Sequence, residues 1–180
     1  MRTYEQARES SRDPSIAVDF LFRSRLPYHA LRLTLAGFFL VAAVYKFADL
    51  HGFADTIAAF GIVPAPLAGW TALFLPIAEL VAALALAFDI RGGLSAITAL
   101  TLLFIVVLAY GIALGLDIDC GCYGPGDPEA EAFSSLRTSL YRDFWFLALA
   151  GYCFFWRRLN RHRPLGIRES VQRLLRAVHH

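Results

Sequence analysis

The chain has little charge and little cysteine. Charged residues make up 18% of its 180 residues, whereas about a quarter is usual for a soluble domain. Three cysteines are too few for a disulfide scaffold, and a formal net charge of +2 is too small to indicate a nucleic-acid partner. Apolar residues account for 57% of the chain and come in long blocks. This composition predicts a small domain embedded in a membrane.

Four apolar blocks are long enough to cross a bilayer, which takes about 20 residues as a helix. They lie at about 28–47, 66–88, 94–116 and 140–156. The sequence therefore predicts an all-α integral membrane protein, a bundle of four transmembrane helices. Between the first two blocks, apolar residues recur every three or four positions over 51–60, which predicts a short helix lying flat at the outer interface.

The placement of arginine predicts the orientation. The stretch 117–143 holds six acidic residues and two basic ones, whereas 157–180 holds seven arginines and one acidic residue. We therefore expect both termini in the cytoplasm of a bacterium and the acidic stretch outside the inner membrane. The expected parts are a cytoplasmic segment at 1–27 without a cleaved signal peptide, a membrane domain at 28–156 and a basic tail at 157–180. Residues 169–180 fit an amphipathic helix or a solvated tail equally well.

Cys120 and Cys122 lie one residue apart in the acidic stretch. A disulfide across Gly121 needs a tight bend, and so small a ring favours a strained, exchangeable bond. Outside the inner membrane such a bond can form and persist. We therefore favour a redox pair over a structural disulfide, a soft-metal site or two reduced thiols. We assign no metal, because two thiolates without a nearby histidine leave a zinc site incomplete.

Two ionisable residues, Arg32 and Glu79, fall inside the predicted first and second spans. Because charged groups in a membrane are costly unless they are paired, we predict an Arg32–Glu79 pair that holds these helices together. A proton relay is the less favoured alternative. Pro76 is expected to kink the second helix nearby. Gly37 and Gly111 are expected to let helices approach closely.

Lys46, the only lysine, lies at the predicted outer end of the first span. Two interpretations have equal weight. Its ammonium group either reaches the lipid headgroups or faces the Cys120–Cys122 pair and stabilises a thiolate against the nearby acidic residues. Asp49 and His51 are alternative partners for it. Cys153, near the inner end of the fourth span, is expected to be a packing residue.

Three pieces of sequence together resemble the MauE branch of the DoxX-like membrane proteins. They are Arg32, Gly37 and Lys46 in the first span, Leu-Pro-Ile-Ala-Glu-Leu at 75–80, and Asp-Cys-Gly-Cys-Tyr-Gly at 119–124. The resemblance covers about 26–156. Two positions depart from the family pattern, which has phenylalanine at Tyr123 and Arg-Asn at Arg142-Asp143.

The resemblance implies a four-helix membrane protein linked to the maturation of methylamine dehydrogenase, whose small subunit needs many periplasmic disulfides. It implies that Cys120 and Cys122 are the family dithiol and that Arg32, Lys46 and Glu79 are its charged positions. The expected partners are the lipid bilayer and a periplasmic thioredoxin-like protein or disulfide-containing client. The layout is similar to that of the quinone-linked disulfide oxidases, but no cofactor is evident and nothing in the sequence supports a quinone.

One interpretation of these features is a thiol-disulfide oxidoreductase, although a single dithiol weakens the case for a self-contained enzyme. Two other interpretations stay open. One is a membrane carrier or binding protein for a soft metal or small molecule that uses the same thiols. The other is a scaffold subunit of a redox complex, in which the charged residues of the spans matter and the thiols do not.

Overall fold

The computed structural model describes residues 24–116, 136–161 and 164. In these ranges the chain forms five helices: α1 Arg25–Ala48, α2 Leu50–Ala59, α3 Ala65–Ala87, α4 Gly93–Ala113 and α5 Leu136–Leu159. The predicted all-α class is confirmed. The Cys120–Cys122 pair and the predicted amphipathic stretch 169–180 lie outside the described residues.

Of the five helices in the described ranges, three (α1, α3 and α4) are long and apolar enough to cross a membrane. At most 33% of each apolar window is buried inside the protein, so most of each window faces outward. A soluble monomer rarely exposes so much contiguous apolar surface. The chain is a multi-pass membrane protein. The helix in the region of the predicted fourth span, α5, carries Arg142 and Asp143 and is less apolar than the other three.

Short polar caps and one glycine turn connect the first three helices. The Ser24 hydroxyl accepts a hydrogen bond from the Leu26 amide at the start of α1. Asp49 separates α1 from α2, and its carboxylate accepts from the Gly52 amide at 2.9 Å. After α2, Gly61 adopts a φ of +67°, and Pro64 directly precedes α3. Gly61 and Pro64 therefore turn the chain from α2 into α3.

The link from α3 to α4 is tight. Gly92 adopts a φ of +100°, which glycine tolerates because it lacks a Cβ, and α4 begins at the next residue. Asp89 also has a positive φ, +55°, and its side chain is buried. So short a connection makes α3 and α4 antiparallel neighbours, and it places the Asp89 carboxylate at the end of the helix pair.

The long helices pack in a closed order: α1 contacts α3 and α5, and α4 contacts the same two helices. Helix α2 packs mainly against α3. All four long helices contribute to one apolar core, including Leu35, Leu86, Ile97 and Ala150, all with 0% exposure. Cys153 is fully buried in this core, as its position predicted.

The glycines at 37 and 111, both expected to allow close helix approach, have different surroundings. A Cβ on Gly111 would lie 2.6 Å from the Phe60 ring, so glycine allows the close approach that was predicted there. Among the described residues, nothing lies within 4 Å of a Cβ placed on Gly37, so the close helix approach predicted there is wrong for this part of the chain. Pro76 is buried within α3, and the helix continues through it.

Candidate functional site

Lys46 and Glu79 form a buried ion pair between α1 and α3. The Lys46 ammonium donates to Glu79 Oε1, and the two residues are 4% and 0% exposed. Lys46 therefore does not extend to the headgroups, and that interpretation is wrong. An ammonium group and a carboxylate that neutralise each other are the arrangement expected for ionisable groups held away from water.

The Lys46 ammonium also lies close to two aromatic rings. It is 5.3 Å from the centre of the Phe53 ring and 4.8 Å from that of Phe104. Both distances are within the range for an attractive cation–π contact. Phe53 belongs to α2 and Phe104 to α4, so the single lysine connects four elements: its own helix, α3 through Glu79, and these two.

Arg142 and Asp143 of α5 complete a charged cluster with Lys46 and Glu79. Arg142 Nε lies 3.4 Å from Asp143 Oδ1, and Asp143 is 3% exposed. All four residues line a small cavity of about 20 Å³. With two basic and two acidic members the cluster is formally balanced, which lowers the cost of burying it.

A larger cavity, of about 210 Å³, adjoins this cluster. We call it the apolar cavity. Its walls come from α2, the turn after it, α3 and α4, and they include Phe53, Phe60 and Phe104. Lys46 and Asp143 contribute the charged part of the wall. Helix α2 therefore closes a space between α3 and α4.

A second polar network, centred on Asp89, lies at the opposite end of the helices. Asp89 Oδ1 accepts from the Tyr28 hydroxyl at 2.8 Å and from Arg157 Nη2 at 2.5 Å. Arg32 Nη1 lies 3.1 Å from Asp89 Oδ2. Tyr28 stacks on Trp156, with ring centres 4.4 Å apart. This Asp89 network joins α1, the α3–α4 link and α5.

The Arg32–Glu79 pair predicted from the sequence is therefore not formed. Arg32 pairs with Asp89, and Glu79 pairs with Lys46. The prediction assumed that α1 ends and α3 begins at the same depth. Instead, Lys46 near the end of α1 reaches Glu79, fourteen residues beyond Ala65, while α2 packs against α3.

Sequence reasoning also missed the Asp89 network. Asp89 falls between the predicted second and third spans, and Arg157 is the first residue of the predicted basic tail. The signal that could have found them is proximity to a boundary, because Asp89 follows α3 by two residues and Arg157 is near the end of α5. Arg32, near the start of α1, lies at this same end and needs an acidic partner there.

The segment that carries Cys120 and Cys122 connects α4 with α5, and its two flanks lie together. Leu136 is buried in one cluster with Phe60 and Leu108, and Leu116 packs against that cluster. Phe60 and Leu108 also line the apolar cavity. The cysteines lie outside the described residues, but the chain leaves and rejoins the described part beside this cavity.

Comparison with known proteins gives the family. The model of the family described as methylamine utilisation protein MauE matches residues 24–156. The methylamine utilization protein MauE of Paracoccus denitrificans is 32% identical over 135 residues, which cover 73% of this chain and 72% of that protein. No solved structure matches the chain. The match spans all five helices except the last three residues of α5, and it includes both polar clusters apart from Arg157; the chain belongs to the MauE family.

Proposed function

We propose that this protein supports thiol-disulfide chemistry at the outer face of a bacterial inner membrane through Cys120 and Cys122. In this proposal α5 is a fourth span, both termini are cytoplasmic, and the segment between α4 and α5 is extracytoplasmic. The name of the Paracoccus relative refers to methylamine utilisation. We propose the same process here, with a periplasmic thioredoxin-like protein or a disulfide-containing client as the partner.

The observation that carries the proposal is the position of the two flanks of the dithiol segment. Leu116 and Leu136 meet at one cluster beside the apolar cavity. Cys120 follows Leu116 by four residues, and an extended chain spans at most about 3.6 Å per residue. Four residues therefore reach at most about 14 Å. This reach supports a dithiol near the end of the protein that holds Lys46.

The scarcity of basic residues in 117–143 supports an extracytoplasmic position for the dithiol. This stretch holds six acidic residues against two basic ones, whereas the stretch after α5 is rich in arginine. Short connections on the cytoplasmic side of a membrane carry more lysine and arginine than those on the outer side. In an oxidising compartment the pair can cycle between dithiol and disulfide.

The proposed step is an ordinary exchange. A thiolate of one cysteine attacks a client disulfide and forms a mixed disulfide while one client sulfur leaves as a thiolate. The second cysteine then attacks the mixed disulfide, so Cys120–Cys122 becomes a disulfide and the client becomes a dithiol. Two electrons and two protons pass to the client, and the reverse sequence oxidises it.

In this proposal Lys46 positions α1 against α3. Whether its charge also stabilises a thiolate is tested separately. Its ammonium is engaged with Glu79, which holds α1 against α3 beside the cavity. If its charge also favours a thiolate, Lys46→Met will move the pH dependence of Cys120–Cys122 alkylation to higher pH, whereas Lys46→Arg, which keeps the charge, will not. An unchanged pH profile would restrict Lys46 to the structural role.

Trapping the mixed disulfide tests the proposal. Cys120→Ala and Cys122→Ala each remove one thiol, and the variant that keeps the nucleophile should accumulate an adduct that reductant releases. Cys153→Ala is the matched control, because Cys153 is fully buried and should leave the adduct pattern unchanged. Absence of an adduct from both variants, together with unchanged client maturation, would contradict the thiol chemistry.

A further inference from the structure

The apolar cavity has the size and lining of a binding site for a small ring compound. Its volume is about 210 Å³, and three phenylalanines line it. For comparison, an engineered apolar cavity of about 150 Å³ in another protein binds benzene. Small-molecule sites generally combine such apolar walls with a few fixed polar groups. A ligand with a single ring or two fused rings therefore fits this volume.

The cavity has a side opening to the outer surface of the helices. Ile62 and Leu103 line it and are 48% and 47% exposed. The surface around them is apolar, with Leu102 46% and Val106 66% exposed on the same helix as Leu103. In a bilayer this surface contacts lipid, so a ligand would enter from the membrane and would itself be apolar.

The Lys46 ammonium is a hydrogen-bond donor beside the cavity, so a matching ligand carries a hydrogen-bond acceptor. The Lys46 ammonium has three N–H donors, and within the described residues Glu79 accepts one of them. Phe53 and Phe104 flank the ammonium and also line the cavity. A ligand oxygen that accepts a hydrogen bond from Lys46 would therefore lie near these two rings.

The charges around Lys46 favour a neutral ligand over an anion. Glu79 already neutralises the ammonium, and Asp143 lines both this cavity and the smaller one beside it. Bringing a further negative charge next to two buried carboxylates would cost free energy. A neutral carbonyl oxygen accepts a hydrogen bond without that cost.

We infer that the apolar cavity binds a neutral, membrane-soluble compound of one or two rings whose carbonyl oxygen accepts a hydrogen bond from Lys46. This inference does not rest on the proposed thiol chemistry, because none of its residues belongs to the dithiol segment. It can hold even if Cys120 and Cys122 have no redox role.

Two matched probes test the inference. 1-Tetralone and tetralin share a fused two-ring skeleton, and only the first has a carbonyl. Equilibrium dialysis against the full chain in nanodiscs, with empty nanodiscs subtracted to remove lipid partition, should show one saturable site for tetralone. Tetralin should bind about ten-fold more weakly, the size of one hydrogen bond to a charged donor. No saturable binding above empty nanodiscs would overturn the inference.

Neighbouring substitutions on α4 test the location. Val107 lines the cavity, whereas Val106 is 66% exposed and lies outside its walls. Val107→Phe should fill the space and weaken tetralone binding at least ten-fold, while Val106→Phe should leave it unchanged. Equal effects of the two changes would place the bound probe elsewhere.

A double variant tests the polar contact without leaving a buried carboxylate beside a missing cation. Lys46→Met/Glu79→Met replaces the ion pair with apolar side chains of similar size, which buried sites often tolerate. In this variant tetralone and tetralin should bind with equal affinity, so the ten-fold preference disappears. A preference that survives would exclude Lys46 as the hydrogen-bond donor.

Discussion

At the residue scale, the Lys46–Glu79 pair shows that a charged residue within an apolar helix is paired with an opposite charge. The chain has one lysine, and it lies inside the protein against a carboxylate that is 0% exposed. Breaking such a pair from one side leaves a buried charge, whereas replacing both members often costs little. The pair should therefore show strong coupling.

We expect Glu79→Met and Lys46→Met each to destabilise the protein by about 3 kcal/mol, because each strands an opposite buried charge. The double variant Lys46→Met/Glu79→Met should be more stable than either single variant. Denaturant titration of the protein in detergent, followed by circular dichroism, measures this. Additive losses in the double variant would mean that the two residues do not act as a pair.

Asp89 gives a second residue-scale prediction. Its carboxylate accepts from Tyr28 and Arg157, and its backbone has a positive φ that asparagine also tolerates. Asp89→Asn should cost less than Asp89→Ala, which removes all acceptors and should cost about 3 kcal/mol. Thermal unfolding in detergent compares them, with Arg91→Ala, an exposed neighbour, as the control. Equal losses for asparagine and alanine would show that the acceptors contribute little.

The partners of these residues could be predicted only in part from the sequence. Arg32, Lys46 and Glu79 stood out because they interrupt apolar blocks. Their pairing depends on the relative depth of α1 and α3, which the packing of α2 against α3 determines. No spacing in the sequence specifies that offset. Asp143 departs from the family pattern and Arg142 matches it, but nothing in the sequence places either residue in the charged cluster that both line.

At the element scale, the tight α3–α4 link makes close backbone contact necessary. A Cβ on Gly93 would lie 2.6 Å from both Ala85 C and Leu86 N, and backbone atoms of α3 cannot yield as a flexible side chain can. We expect Gly93→Ala to destabilise the protein by about 2 kcal/mol, within the usual range for overpacking. Thermal unfolding in detergent is the measurement.

Gly37→Ala is the matched control for Gly93→Ala, because no atom of the described ranges lies within 4 Å of a Cβ at position 37. An alanine in a helix interior is favoured over glycine by up to about 1 kcal/mol. Gly37→Ala should therefore be neutral or slightly stabilising. If both variants lose the same stability, the α3–α4 approach is not the cause.

The helices themselves were well predicted. Blocks expected at about 28–47, 66–88 and 94–116 appear as α1, α3 and α4, and the short stretch at 51–60 appears as α2. Apolar runs and glycine or proline turns suffice for this, because each is a local property of the chain. The position of α2 was not predictable: Phe53 and Phe60 are buried against other helices, a tertiary contact that amphipathic periodicity does not specify.

At the scale of the whole molecule, the number of spans decides the topology. Composition identifies α1, α3 and α4 as spans, whereas α5 contacts α1 and α4 but is less apolar. We expect α5 to cross the membrane as well. Alkaline phosphatase fused after Pro128 should be active, because this enzyme needs the periplasm, and fused after Arg161 it should be inactive. Activity at both positions would mean three spans.

The central claim is that Cys120 and Cys122 face the outside of the inner membrane. A Cys153→Ala background leaves these two as the remaining thiols. After reduction of intact spheroplasts, a membrane-impermeant maleimide should label this variant fully, and permeabilisation should add nothing. A Cys120→Ala/Cys122→Ala variant, which retains the buried Cys153, should stay unlabelled. Labelling of Cys120 and Cys122 only after permeabilisation would contradict the account.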